Sequence, residues 1–434
     1  MFVPRPPARR TTTPSRRHLV MTPAATLEAE ECRAFIARLQ LLLPTPYVEN
    51  LIIRFQERLR HLTMYDASLV PTSVRRHLMH KWQTLDSAYQ AVGGSLADFE
   101  ETFRMEPLEV QEMLRSDILP EFIRIEGCGK VARCEALLCT LARTGSSSWT
   151  QRNLGRDMGR STAFVCRVVK ATWAQLVEDH RWLLEPGNLH RFSAATIAEW
   201  KRALVEKYRR VIQNPDAPVP EQLQQVAFIL DGVRFKIRRP CARQGEVEEE
   251  EDEEAAAAEP LIDVQRAFYS RKSGHNLLGL AGVAPNGLIA FMPSLVAGRH
   301  QDNYIVNVSQ LNDHLAGVNA KALGDALFGQ RSHINHIPGA AERQLLNIPV
   351  DLCRKLSKIR ITVEWGIGLV KETFPLIADP RKLKVFGTDP VTAIDAAVLL
   401  TNFKICMRGN IITSYIGCCP PTLVSYMAGY GKDE

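Results

Sequence analysis

The sequence predicts two unlike halves, an all-α region followed by a mixed α/β domain. Three observations carry this. Apolar residues recur at three- and four-residue spacing from Thr26 to His190. The prolines Pro215, Pro218 and Pro220 then interrupt the pattern. Beyond them the chain switches to short apolar runs, of which Val226-Ala227-Phe228-Ile229-Leu230 is the clearest, and Asp231-Gly232 ends that run. A carboxylate at the end of a buried strand is costly unless an arginine or a metal ion satisfies it.

The elements follow in order. Residues 1–25 hold Arg5, Arg9, Arg10, Arg16 and Arg17, five prolines and no acid. They lack an apolar segment of secretory type and are expected to form a disordered basic tail, with a nuclear-import or nucleic-acid arm as its use. Residues 26–190 are expected to be all-α, with helical stripes over 32–43, 51–62, 78–92 and 96–114. Within them, 136–142 and 149–158 are apolar-periodic, and Gly159-Arg160-Ser161-Thr162 separates the second from a third helix carrying Phe164, Val165, Val168, Val169 and Trp173. This is the pattern of a helix-turn-helix near 149–173. Arg152, Arg156, Arg160, Ser161, Thr162, Arg167 and Lys170 lie on or beside it and are the candidate DNA-binding residues. A three-helix bundle with a solvated basic face gives the same pattern, and both readings stand at this point.

Residues 191–225 read as a connecting helix with Trp200, Leu204 and Tyr208 on one face, then a Pro-rich linker. The α/β domain spans 226–406 and is interrupted at 244–260 by an acidic, alanine-rich low-complexity insert expected to be a disordered loop. Leu277–Val283 and Leu288–Val296 flank Pro285-Asn286-Gly287 and read as a hairpin. Asp302 precedes a helix over 304–315, Ala320–Leu323 is a short strand delivering Gly324-Asp325, and irregular chain is expected from there to Pro349. Val350–Ile361 leads into Val363-Glu364-Trp365-Gly366, then a helix through Lys371, and Val391–Cys406 is a last apolar helix. Residues 407–434 are expected to be a C-terminal tail.

The formal net charge is +6. Glu246 and residues 248–254 alone supply eight negative charges, so the rest of the chain carries +14 (6 plus 8). That balance favours a polyanionic partner. The ten cysteines contain no CxxC, and Cys418-Cys419 are adjacent, so neither a zinc knuckle nor a disulfide framework is expected. The uncharged stretch Ser273–Gly298 is broken by prolines and does not read as a membrane span.

Asp231, Asp302, Asp325 and Glu364 each sit at the end of, or just beyond, an apolar stretch, where strand ends gather in an α/β sheet. Oxygen-only donors select hard cations such as Mg²⁺ or Mn²⁺. In phosphoryl transfer, two such ions activate the attacking hydroxyl and stabilise the leaving oxygen.

A family resemblance adds to this reading. Ile229-Leu230-Asp231-Gly232, Tyr269-Ser270, Gly274-His275-Asn276, Pro285-Asn286-Gly287-Leu288-Ile289, Gly298-Arg299-His300-Gln301-Asp302, Leu323-Gly324-Asp325, Asn347, Arg360, Val363-Glu364-Trp365-Gly366-Ile367-Gly368 and Asn402-Phe403 occur in one order. Across 226–406 they resemble the DDE-superfamily nuclease of PIF/Harbinger-type transposases, whose helical region corresponds to about 95–190.

The resemblance implies an RNase H-like α/β catalytic domain preceded by an all-α, helix-turn-helix-containing domain. It implies a metal-dependent DNA endonuclease that cuts at transposon ends, acts in the nucleus and works as a homo-oligomer on DNA, with a separate Myb-like DNA-binding partner and no membrane. Asp231, Asp325 and Glu364 are the implied catalytic residues. Asp231, Asp302, Asp325 and Glu364 are the implied metal ligands. In an RNase H-like sheet the second carboxylate follows the fourth strand, which favours Asp325 over Asp302, and both remain candidates. Arg299, Arg234, Lys272 and Lys371 are candidate phosphate contacts.

Three departures from the family pattern stand out: Gln301 precedes Asp302 where a histidine is usual, Phe328 replaces a tyrosine, and the acidic insert is additional. The rival readings are a domesticated, catalytically silent DNA-binding protein and a hydrolase of another substrate on a similar fold.

Overall fold

The apolar run at 226–230 becomes the central strand of a mixed sheet. The structure is a computed structural model that describes residues 82–125, 129–146, 148–241, 262–329, 331–385 and 389–429. The expected basic tail, the helices over 32–43 and 51–62, and the acidic insert lie outside the described residues. What is described belongs to one compact unit, His80–Glu434.

Helices α1 (Leu85–Ala91), α2 (Leu96–Phe103) and α3 (Pro107–Arg115) open it. Thr84 and Ser95 cap the first two through their hydroxyls, as short polar residues do before an apolar-periodic run. A two-stranded antiparallel hairpin follows, β1 (Phe122–Ile125) with β2 (Gly129–Ala132). This corrects the all-α expectation for 26–190. Phe-Ile-Arg-Ile alternates exposed and buried residues, a period-two pattern. Three helices come next: α4 (Arg133–Thr144), α5 (Gln151–Met158) and α6 (Thr162–His180).

The helical region is joined tightly to the sheet. After α6, short 3-10 turns over Arg181–Leu184 and Pro186–Arg191 run along the sheet edge, where Met292 N–H donates to the Leu184 carbonyl at 2.8 Å. Buried Arg191 donates to the Leu183 and Ala290 carbonyls at 2.6 and 2.7 Å. These contacts satisfy an edge that would otherwise be open. The 191–225 segment contains α7 (Ala194–Ile212), which packs on the central strand through Trp200 and Phe228, ring centroids 5.5 Å apart.

The sheet strands are β3 (Val226–Lys236), β4 (Tyr269–Ser270), β5 (Gly274–Val283), β6 (Ile289–Phe291), β7 (Val296–Ala297), β8 (Lys321–Gly324) and β9 (Ile334–His336). Their order is β4-β5-β3-β8-β9, with β6 and β7 also paired to β5. β5 runs antiparallel to β3 and to β6, whereas β8 is parallel to β3 and β9 to β8. The Pro-Asn-Gly hairpin forms as its sequence requires. Gly287 turns at φ 85, and its N–H donates to the Ala284 carbonyl.

Helices α8 (Asp302–Val308) and α9 (Leu311–Gly317) lead to β8. Beyond β9, α10 (Ala340–Leu345) precedes α11 (Val350–Thr373), which packs on β3, β5 and α7. The region expected to be irregular up to Pro349 thus holds a strand and a short helix.

Helix α12 (Pro390–Arg408) is long and apolar enough to cross a membrane by length and composition, yet 83% of that window is buried inside the fold, which makes it a core helix. Asn402 on α12 accepts from Ile289 N–H and donates to the Ile289 carbonyl and the Tyr426 hydroxyl, all at 2.9 Å, and so fixes β6. Residues past 407, expected as a tail, are folded as α13 (Ile411–Ile416) and α14 (Leu423–Met427), with Tyr426 fully buried.

Candidate active site

The register of the parallel pair builds the site. Ile229 on β3 faces Leu323 on β8. Two residues on, Asp325 follows the end of β8 and stands beside Asp231, which lies midway along β3; the expectation that Asp231 ends its strand is thus corrected, because β3 runs on to Lys236 in pairing with β5. Asp325 accepts from Leu327 N–H at 2.9 Å and caps the short turn Ala326–Phe328, which fixes its carboxylate just past the strand. Phe328 is buried, and its ring covers Gly324 so closely that a side chain there would collide with it. The phenyl ring that stands in place of a tyrosine is thus a packing group.

Asp302 arrives from the other side, in the first turn of α8. Its carboxylate lies against the Cα of Gly232, where a Cβ would collide with it. The glycine after Asp231 therefore makes room for a third carboxylate as well as for the chain.

Asp325 acts electrostatically on the other two aspartates. Burial pushes the Asp231 carboxyl above its ordinary range, Arg360 opposes the rise, and Asp325 adds to it. Burial likewise raises Asp302, Arg234 and Lys272 pull it down, and Asp325 raises it.

Glu364 comes from α11. This corrects the expectation that it lies at the end of a strand-like stretch. Ile359, Val363, Ile367 and Val370 are buried at helical spacing along one continuous helix. A Cβ on Gly366 would lie 3.0 Å from Val283 Cγ2, so that glycine lets α11 approach the end of β5. Arg360, one turn before Glu364, bridges the helix to the sheet. Its Nη1 donates to Asp231 Oδ2 at 3.1 Å and its Nη2 to Glu364 Oε1 at 2.5 Å. Burial disfavours the guanidinium charge, but the two carboxylates outweigh that and raise its pKa above the ordinary value.

Of the candidate phosphate contacts, Arg234 is braced: its Nη1 donates to Asn276 Oδ1 and the Gly298 carbonyl, both at 3.0 Å. Asn276 is fully buried and donates in turn to Ser270 Oγ and the Gly274 carbonyl. The Ser270, Gly274, Asn276 and Gly298 motif residues therefore hold Arg234 beside Asp302. Lys272 and Arg299 are exposed. Lys371 is half-buried over the Phe235 ring, with Nζ 3.3 Å from the Arg234 carbonyl, and burial lowers its pKa. His300 stacks on Tyr304 at 4.0 Å between ring centroids.

The expected DNA-binding residues lie on α5, on α6 and on the turn between them, away from this carboxylate group in the chain. Gly159 ends α5 at φ 70, and Ser161 caps α6 by accepting from Phe164 N–H. Arg152, Arg156, Thr162, Arg167 and Lys170 have exposed side chains. Arg160 does not. Its guanidinium makes a two-pronged pair with buried Glu135 on α4, at 2.8 and 3.1 Å, and lies over the Phe164 ring. In this structure it braces α6 against α4.

Sequence reasoning missed the role of Arg360. The available signal was its spacing of four from Glu364, which puts both on one helix face. Among the described residues no three His, Cys, Asp or Glu side chains stand as a ready-made metal shell.

No curated protein and no solved structure matches the chain. A family model, DDE superfamily endonuclease, matches residues 254–402 and implies an RNase H-like α/β fold. That span includes Asp302, Asp325 and Glu364, while Asp231 precedes it. Over those residues the chain is similar to DDE superfamily endonucleases.

Proposed function

We propose that this chain is a metal-dependent DNA endonuclease of PIF/Harbinger transposase type that cuts phosphodiesters at the ends of a mobile element. The observation that carries the reading is the register that sets Asp325, just past the end of β8, beside Asp231 midway along parallel β3, with Asp302 against Gly232. Three aspartates and one glutamate form an all-oxygen donor set, which fits Mg²⁺ or Mn²⁺. Asp231 and Asp325 would hold one ion, Asp231 and Glu364 a second, and Asp302 would be an additional ligand. When bound, the ions supply activation of the attacking hydroxyl and stabilisation of the leaving 3′ oxygen.

The chain's own residues do the rest. Arg234, held by Asn276 and Gly298, keeps positive charge beside Asp302, and Lys272 adds to it. With Arg299 they offer contacts to the phosphates flanking the scissile bond. Exposed Arg152, Arg156, Arg167 and Lys170, with the Ser161-capped start of α6, form the DNA-binding face in the helix-turn-helix reading. The protein would work in the nucleus as a homo-oligomer on DNA, with a Myb-like protein as a further DNA-binding partner.

The Arg360 bridge supports a second reading, in which the acids are internally neutralised and the protein is a catalytically silent DNA-binding descendant of a transposase. Nicking of labelled DNA by the purified full chain, in Mg²⁺, Mn²⁺ or EDTA, separates the two. Metal-dependent cleavage that Asp231→Ala, Asp325→Ala or Glu364→Ala abolishes supports the nuclease. Full activity in all three variants overturns it, and DNA binding without cleavage in any condition favours the silent reading.

A further inference from the structure

Arg360 sits where two of the four acids would have to meet a cation. It projects from α11 one turn before Glu364, and its two terminal nitrogens go to different carboxylates on different elements, Asp231 on β3 and Glu364 on α11. The Asp231 half of the bridge is largely shielded, with the Arg360 side chain 20% exposed and that of Asp231 24%, whereas the Glu364 side chain is 48% exposed. Arg234 and Lys272 act on Asp302, so positive charge on the Asp302 side is supplied separately from that on the Asp231–Glu364 side. Acids gathered from two strands and two helices repel one another unless a positive group lies between them. A guanidinium, with a planar fork of donors, reaches two carboxylates at once where an ammonium makes one point contact.

We propose that Arg360 is a built-in counter-ion that holds Glu364 against Asp231 in the metal-free protein and competes with divalent cations for those two carboxylates. The inference rests on the metal-dependent reading above and adds a cost to it. Loading the site requires Arg360 to release Asp231 and Glu364. The bridge keeps α11 and β3 in register while no metal is present, and once released its fork is available to a phosphate of the bound DNA. Arg360 is therefore a positioning residue for Glu364.

Mn²⁺ titration by calorimetry on the full chain tests this without reference to activity, comparing wild type with Arg360→Gln and Arg360→Lys. Arg360→Gln is expected to bind Mn²⁺ at least about tenfold more tightly, because two charge-assisted hydrogen bonds, each worth about that factor or more, no longer have to be broken. In EDTA its melting temperature is expected to fall below that of wild type, with the gap closing at saturating Mn²⁺. Affinity equal to or weaker than wild type overturns the inference and leaves the metal-dependent reading standing. Absence of Mn²⁺ binding in every protein overturns both. Should Arg360→Gln not fold without metal, Arg360→Lys carries the comparison: a smaller gain in affinity is expected, and no gain overturns the proposal.

Discussion

Gly232→Ala separates the folding role of this position from its functional one. An ideal Cβ at 232 would lie 2.5 Å from Asp302 Oδ2 and closer still to Cγ and Oδ1. Ordinary contact needs about 3.5–4 Å, so the carboxylate must retreat by at least about 1 Å. The backbone itself sets no obstacle, because Gly232 is not among the positive-φ glycines. The obstructing group is the end of a short side chain, which can turn about χ1 without moving α8. The stability cost should therefore stay near about 1 kcal/mol, the low end for overpacking.

The functional cost should be larger. A displacement of about 1 Å in a positioned group costs on the order of 100-fold in rate. Chemical denaturation in EDTA reads the first quantity, and metal-dependent nicking reads the second. A small loss of stability with a loss of cleavage above tenfold is expected. Unchanged cleavage would refute the placement of Asp302 in the working site. A stability loss of about 3 kcal/mol or more would refute the claim that the carboxylate is free to turn.

Two further outcomes follow from charges elsewhere in the fold. Arg160→Ala strands the buried Glu135 carboxylate and should destabilise by about 3 kcal/mol in denaturant melts, whereas exposed Arg152→Ala should stay within about 0.5 kcal/mol while weakening DNA binding and lowering its salt dependence. Asp395, buried on α12 beside Arg181, has its carboxyl pushed up to about 6 by burial. Its folded value lies above its unfolded one, so its contribution to stability is greatest in acid and is lost as pH rises from about 4 through about 6, by up to about 3 kcal/mol. The stability of wild type relative to Asp395→Asn should accordingly fall across that window, and a rise would refute the assignment.

The legible parts of the fold were those written in consecutive residues. The apolar run up to Leu230, the Pro-Asn-Gly hairpin and the Leu323-Gly324-Asp325 strand end appear where their patterns put them, although β3 runs on past Asp231 to Lys236. The unforeseen parts depend on partners far apart in sequence. Arg160 has the look of a phosphate contact until Glu135, 25 residues earlier, is seen to occupy it. The hairpin β1–β2 escaped because four-residue strands give too short an alternation to stand out among helices.

Glu364 shows why the site is harder to read than the fold. Its neighbours Val363 and Trp365 can pass for a strand end, and only the spacing of Ile359, Val363, Ile367 and Val370 over a longer window assigns them to a helix. The same spacing puts Arg360 beside Glu364, yet nothing local says that the guanidinium also reaches Asp231, 129 positions away. That contact depends on the approach of α11 to β5 at Gly366 and on the pairing of β5 with β3. The acids identify the chemistry available to this chain. On the inference above, the arginine between two of them is what that chemistry must first displace, and its contact with Asp231 became visible only once the sheet register was known.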